Sequence, residues 1–198
     1  GLSIHFLVIL PLIFFIFTKI NPIKHWKAMA SAFATAFSTS SSGATLPVTI
    51  NCVENNVGVS NRTTSFVLPL GATINMDGTA LYQAVAAVFI AQTLGIPLDL
   101  TAQLSIVFLA LLASIGTAAV PSAGLVMLIV ILETINVPAA GIALILGVDR
   151  PLDMARTAAN ITGDVTVAAV VAAGEGQLAP VGAATDPGGA VAAPSTTL

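Results

Sequence analysis

Charge is what this chain has least of. Charged residues make up 8% of its 198 positions, against about 25% in a typical soluble domain. Hydrophobic residues account for 56%, and the mean hydropathy is +0.98. So little charge cannot cover a globular surface, so most of the chain is expected in lipid or against other membrane helices. Lysine and arginine together number six and the net charge is −3, which leaves no basic patch and excludes nucleic acid as a partner. One cysteine, Cys52, excludes an internal disulfide framework and is too little for a metal site; it reads as a buried structural thiol. Catalytic groupings are missing too: there is no Gly-x-Ser-x-Gly, no phosphate loop, no zinc spacing and no serine with a partnered base. His5 and His25 fall near helix ends and read as surface or interfacial residues. Neither an enzyme nor a resident cofactor is expected. The chain opens Gly1-Leu-Ser-Ile-His-Phe6 without an initiator Met, and Leu2–Ile20 lacks both the basic leader and the cleavage site of a signal peptide. A start partway through a longer protein is the expectation.

The apolar segments differ in length. Residues 1–20 form a first span stopped by Asn21-Pro22. Lys19, Lys24 and Lys27 follow it, so this loop is expected on the cytoplasmic side, unless the three lysines are mere scatter. From about Lys24 to Thr39 and again to about Val57 the pattern is helical, but neither run reaches the ~20 apolar residues a span needs. The two arms meet at Ser38-Thr-Ser-Ser-Ser-Gly-Ala-Thr-Leu-Pro47. Residues 21–57 therefore read as a re-entrant hairpin or as two interfacial helices joined by a polar turn. At membrane depth such a tip is tolerated only inside protein or beside water. Glu54, Asn55, Asn56, Asn61 and Arg62 make a polar loop on the lysine side, where the Asn61-Arg-Thr sequon has no meaning. Residues 62–94 form a span interrupted by Asn75-Met-Asp-Gly-Thr79. An Asp beside freed carbonyls suits a hard cation, although a turn between two shorter helices gives a similar pattern. After the connector Gly95–Asp99, placed outside, residues 101–135 repeat the two-arm arrangement around Ser114-Ile-Gly-Thr-Ala-Ala-Val-Pro-Ser-Ala-Gly124. Interrupted segments in corresponding positions of two halves point to the binding site of a secondary transporter. Residues 137–173 read as one last helix, and 174–198 as a disordered tail rich in Ala, Pro, Gly and Thr.

That last helix carries Asp149, Asp153, Arg156, Asn160 and Asp164 at spacings of 4, 3, 4 and 4. At ~100° per residue they fall within roughly an 80° arc. A stripe of three carboxylates, a guanidinium and an amide must face a cavity, a partner or an ion, since an ionised side chain in lipid costs ~2.5–3.5 kcal/mol. Taken with the two tips, the stripe suits an acidic amino acid. Backbone N–H groups at the tips suit an α-carboxylate, Asp153 an ammonium, and Arg156 a second carboxylate. Asp77 and Asp164, with freed carbonyls, suit Na⁺. The competing reading is that Asp153 and Arg156 pair with each other and merely neutralise the helix.

Four stretches in order, Ser40-Ser-Ser-Gly-Ala-Thr-Leu-Pro-Val-Thr49, Gly71-Ala-Thr-Ile-Asn-Met-Asp-Gly-Thr79, Ser114 to Gly124 and Asp153-Met-Ala-Arg-Thr-Ala-Ala-Asn-Ile-Thr-Gly-Asp164, resemble the dicarboxylate/amino acid:cation symporters. That family includes the sodium-coupled glutamate and aspartate transporters, and the resemblance covers about residues 1–173. It implies an all-α membrane protein, the transport domain of an elevator-type transporter with two re-entrant hairpins, a broken helix and a polar-striped last helix. It implies a substrate site in which Ser41 and Ser42, with Asn160, hold the α-carboxylate. Asp153 would take the amino group and Arg156 the side-chain carboxylate, while Thr79 and Thr157 line the site and Val120, Pro121 and Gly124 close over it. It implies Na⁺ among the carbonyls of Gly71, Asn75 and Asn160 with Asp164. A second Na⁺ would lie among the carbonyls of Thr73, Met76 and Ser114, Ile115, Gly116 and Thr117, and a third at Asn75 and Asp77. Members preferring acidic amino acids commonly carry a further Arg at the position of Ser40 or Met154; this chain has neither, and Gly43 replaces a frequent Ser. Asp153 and Arg156 together nevertheless favour glutamate or aspartate over a C4-dicarboxylate or a neutral amino acid. The resemblance further implies the C-terminal half of a multi-pass protein of the plasma (inner) membrane. A homotrimer would form through an N-terminal scaffold outside this chain, and the chain alone is not expected to transport.

Overall fold

The structure, a computed structural model, describes residues 1–179. Nine helices follow one another among them: α1 (Leu2–Thr18), α2 (Pro22–Ala28), α3 (Ala30–Thr39), α4 (Ser42–Cys52), α5 (Asn61–Ile74), α6 (Asp77–Thr93), α7 (Leu100–Ile115), α8 (Ala123–Thr134) and α9 (Leu146–Gly174). The described residues form no strand, only one isolated bridge between Val59 and Leu178, so the all-α class expected from the sequence is the one adopted. Asn61–Thr93 and Leu146–Gly174 are long and apolar enough to cross a membrane. The bent pair Leu2–Thr18 and Pro22–Ala28 makes a third if it counts as one span.

Local chemistry sets the boundaries. Lys19 takes a left-handed backbone (φ 59°) at the end of α1, and Asn21 then caps α2 by accepting a bond from the Ile23 amide at 2.8 Å. The result is a 106° bend. Ser41 caps α4 through the Ala44 amide (3.1 Å) and Asp99 caps α7 through that of Ala102 (2.7 Å). Between α5 and α6 the backbone of Asn75 and Met76 leaves helical geometry. The last helix starts at Leu146 rather than at the expected Val137. Asn136 is left-handed (φ 57°) and Pro138 disfavours helix in the residue before it, so residues 139–144 form only a 3-10 turn.

The expected disordered tail from Gly174 does not hold for its first residues. The Ser60 amide donates to the Gln177 carbonyl (3.2 Å), the Ala179 amide to the Gly58 carbonyl (2.8 Å), and Gln177 Oε1 accepts from the hydroxyls of Ser60 (2.6 Å) and Thr63 (2.9 Å). Gly58 is required there. Its φ is +90°, and a Cβ would lie 2.7 Å from the Ala179 carbonyl oxygen. Polar side chains and backbone, invisible to a hydrophobic pattern, hold this strap. Residues 180–198 of the expected tail lie outside the described residues.

Helix α9 is the axis of the fold and packs against α1, α3, α5 and α6. Its C-terminal half, Ile161 to Ala172, joins one apolar cluster with Phe14, Ala32, Ala36, Val53 and Leu68. A second cluster lies around α6, α7 and α8, with Ile90, Ile106, Leu128 and Ile131 at its centre. Small residues line the first seam, where close van der Waals contact and not water exclusion holds helices together in lipid. The polar stretch of α9 sits between the clusters.

Candidate functional site

The stripe read from the sequence is buried throughout: Asp149, Asp153, Arg156, Asn160 and Asp164 are each at most 5% exposed. Asp153 Oδ1 accepts from Arg156 Nε at 2.9 Å, so the pairing foreseen as the competing reading is present. It does not use up the guanidinium. Both terminal nitrogens of Arg156 are buried without a hydrogen-bond partner. One lies 3.4 Å from Asp149 Oδ1, in ion-pair range only, and the guanidinium carbon stands 4.1 Å over the Tyr82 ring. Tyr82 in turn donates its hydroxyl to Asp149 Oδ1 at 2.7 Å. Asp149 and Tyr82 thus hold Arg156 in place. From the sequence Asp149 has no settled role and Tyr82 does not stand out, since a separation of 67 positions hides their contact.

The two tips meet above this group. Ser41 Oγ donates to the Ala119 carbonyl (2.7 Å), which also accepts from the Gly43 amide (3.2 Å). The Ser122 amide donates to Asp153 Oδ2 (2.9 Å). Both tips contain a non-glycine residue in the left-handed region, Ser40 (φ 52°) and Ser122 (φ 61°), a strained arrangement common at ligand clamps. Beneath them lies a cavity of about 20 Å³ lined by Ser42, Thr79, Val120, Gly124, Asp153, Arg156, Thr157 and Asn160, with Ser40, Met76 and Thr117. Eight of the ten expected substrate residues therefore face one space. Ser41 turns its hydroxyl to the opposite tip, and Pro121 lines the outer side of the second tip. That volume holds about one water, so an amino acid requires the tips to part. The buried Ser40 hydroxyl has no partner. The Asn160 amide is engaged: its oxygen accepts from Gly78 N (2.8 Å) and Thr79 N (3.3 Å), and its nitrogen donates to Thr79 Oγ1 (3.0 Å).

The expected ion residues gather unevenly. Asn75 Nδ2 donates to Asp164 Oδ1 at 2.9 Å. Gly71 brings the α5 backbone so close that a Cβ would lie 2.5 Å from the same oxygen. Asp77 pairs with His5 Nε2, which corrects the reading of His5 as a surface or interfacial residue: its side chain is only 16% exposed. His25 also departs from expectation, being 2% exposed and stacked on Phe14 at 4.1 Å. Met76 and Thr117 line the cavity, whereas Thr73, Ile115 and Gly116 are exposed. The hydroxyls of Thr73 and Ser114 return to the carbonyls of Leu70 and Leu111 (2.9 and 2.8 Å). Among the described residues no three His, Cys, Asp or Glu side chains form a metal cluster. One carboxylate with backbone and amide oxygens suits a hard cation better than a transition metal.

Helices long and apolar enough to cross a membrane, packed around a buried charged cluster, define an integral membrane protein. The comparisons with known proteins are more specific. A profile described as the Sodium:dicarboxylate symporter family matches residues 1–173, and the chain belongs to that family. It is 52% identical over 171 residues to an excitatory amino acid transporter of Caenorhabditis elegans, covering 86% of this chain and 34% of the relative. To excitatory amino acid transporter 2 of Homo sapiens it is 49% identical over 171 residues, 86% of this chain and 30% of the relative. To the human excitatory amino acid transporter 3 it is 52% identical over 164 residues, 83% of this chain and 31% of the relative. The chain thus spans about a third of the length of these relatives, which are named as transporters and not as enzymes.

Proposed function

We propose that this chain forms the moving, substrate-carrying part of a secondary transporter that imports an acidic amino acid, glutamate or aspartate, together with Na⁺. The observation that carries the reading is the Arg156 guanidinium, 1% exposed, facing the cavity with two terminal nitrogens unpaired. A buried unpaired donor on a charged group is costly, and a carboxylate reaching both nitrogens at once removes that cost. Asp153 supplies the charge for an ammonium once it exchanges the Ser122 amide and Arg156 Nε. Ser41, Ser42 and Asn160 take the α-carboxylate, with Thr79 and Thr157 beside it. Residues 21–57 and 101–135 act as two re-entrant hairpins, and Val120, Pro121 and Gly124 form the gate. Na⁺ binds at Gly71, Asn75, Asn160 and Asp164, at Thr73, Met76 and Ser114 to Thr117, and at Asn75 with Asp77, where it displaces His5. The whole acts as an elevator-type carrier in the plasma (inner) membrane, a homotrimer assembled through a scaffold outside this chain.

The names of the relatives support the substrate class. A C4-dicarboxylate carrier is the second reading, kept because Asp153 is already neutralised by Arg156 at 2.9 Å in the absence of an ammonium; the presence of Asp153 itself favours the amino acid. Competition in the purified, intact protein separates the two. Succinate displacing L-aspartate at equal concentration supports the dicarboxylate reading, and succinate failing to displace it supports the amino acid.

A further inference from the structure

We propose that α2, with Lys19 just before it, is a binding surface for anionic phospholipid headgroups. The inference goes beyond the transport reading and shares with it only that α1 crosses the bilayer. With α1 taken across the bilayer, as the transport reading has it, the 106° bend lays α2 nearly in the membrane plane. Its inner face is fixed: His25 is buried on Phe14, the Trp26 ring stacks on Phe6 at 5.6 Å and 9°, and Asn56 Nδ2 donates to the Ala28 carbonyl at 3.0 Å. Its outer face is free. Ile23 is 62% exposed, and Lys24 and Lys27, three residues apart and therefore neighbours on the helix, are exposed with it.

Among the described residues none of the three lysines has an acidic partner; every ion pair present involves His5, Arg150 or Arg156. Glu54, in the turn after α4, accepts instead from Asn61 Nδ2 at 2.7 Å. An exposed isoleucine between exposed lysines on an in-plane helix is the pattern of an interfacial anchor. The apolar side chain enters the acyl boundary and the ammonium groups reach phosphate. Three charges held within one turn and a bend on a rigid support give the surface a preference for anionic over zwitterionic headgroups, on the order of fivefold for each lysine close to the surface.

Trp26 is the only tryptophan of the chain, so its fluorescence reports on this helix alone. The chain is placed in nanodiscs of phosphatidylcholine and phosphatidylglycerol in equal amounts, with one lipid brominated on its acyl chain at a time. Brominated phosphatidylglycerol is expected to quench Trp26 several-fold more effectively than brominated phosphatidylcholine. The excess should vanish in about 1 M salt, where the Debye length is about 3 Å, and in K19Q/K24Q/K27Q. It should persist in K19R/K24R/K27R, which keeps the charge and controls for loss of structure. Equal quenching by the two lipids, or a preference that survives the glutamine substitutions, overturns the proposal. Neither amino acid nor Na⁺ enters the assay, so its outcome is independent of whether the chain carries aspartate.

Discussion

Gly71→Ala places one methyl group where the structure leaves no room for it. The added Cβ would stand 2.5 Å from Asp164 Oδ1, 2.9 Å from its Cγ and 3.3 Å from its Cβ. Ordinary carbon–oxygen contact is nearly an ångström longer, so either α5 moves away from α9 or the carboxylate rotates. Helix α5 is pinned to α9 along the first apolar cluster by Leu68, so the carboxylate is the part that yields. Rotation breaks its bond to Asn75 Nδ2 (2.9 Å), a bond to a charged group worth about 1.5–3 kcal/mol. Alanine returns up to about 1 kcal/mol of helix propensity, so net stability falls by only about 0.5–2 kcal/mol and the protein still folds. The coupling ion bears the larger effect. A carboxylate turned out of the proposed Na⁺ position is expected to raise the Na⁺ concentration for half-maximal aspartate binding at least about tenfold, equivalent to about 1.4 kcal/mol. Maximal binding should recover in excess Na⁺. The assay is a Na⁺ titration of aspartate binding, with Gly147→Ala as control, because a Cβ at Gly147 meets nothing within 4 Å. A Na⁺ dependence unchanged from the parent, in a protein of parental stability, would refute the assignment of Asp164 to sodium.

Other perturbations probe separate parts of the account. Arg156→Cys removes the charge proposed to hold the side-chain carboxylate. Uptake by the intact protein should shift from aspartate toward neutral amino acids, and aspartate uptake at the parental level would sink that role. Tyr82→Phe leaves Asp149 without its 2.7 Å donor and should cost about 1–3 kcal/mol in stability. Adding Asp149→Asn should then cost less than it does alone, because the two residues act as a unit; strictly additive losses would contradict the proposed support of Arg156. Gly58→Ala forces a β-carbon into a left-handed backbone, at about 1–2 kcal/mol, and against the Ala179 carbonyl. Faster hydrogen exchange at the Ser60 and Ala179 amides is expected, and unchanged exchange would mean that the strap is not held as described.

What the sequence made legible is whatever lies on one helix or in one tip. The spacing from Asp149 to Asp164 put five polar groups on one face of α9, and all five are buried there. The Ser/Gly tips and the Asn75–Met76 interruption were visible because such residues do not continue an apolar helix. What stayed hidden are contacts between residues far apart in the chain: Ser122 with Asp153, Tyr82 with Asp149, His5 with Asp77. Periodicity reports which way a side chain faces along its own helix and says nothing of what meets it from another. His5 shows this most clearly, since its partner Asp77 lies 72 positions further along the chain and hydropathy has no signal for that. The start of α9 was misplaced because Val137–Ile145 is as apolar as the helix it leads into, and only Asn136 and Pro138 mark the break.

The central claim is that an acidic amino acid and Na⁺ bind together at the α9 stripe. Equilibrium binding of L-aspartate to the purified, intact protein, in Na⁺ and in an equal concentration of choline, addresses it most directly. Saturable binding in Na⁺ that disappears in choline and in the Arg156→Cys protein is the predicted result. Binding of equal strength in both salts, or none in saturating Na⁺, would contradict it.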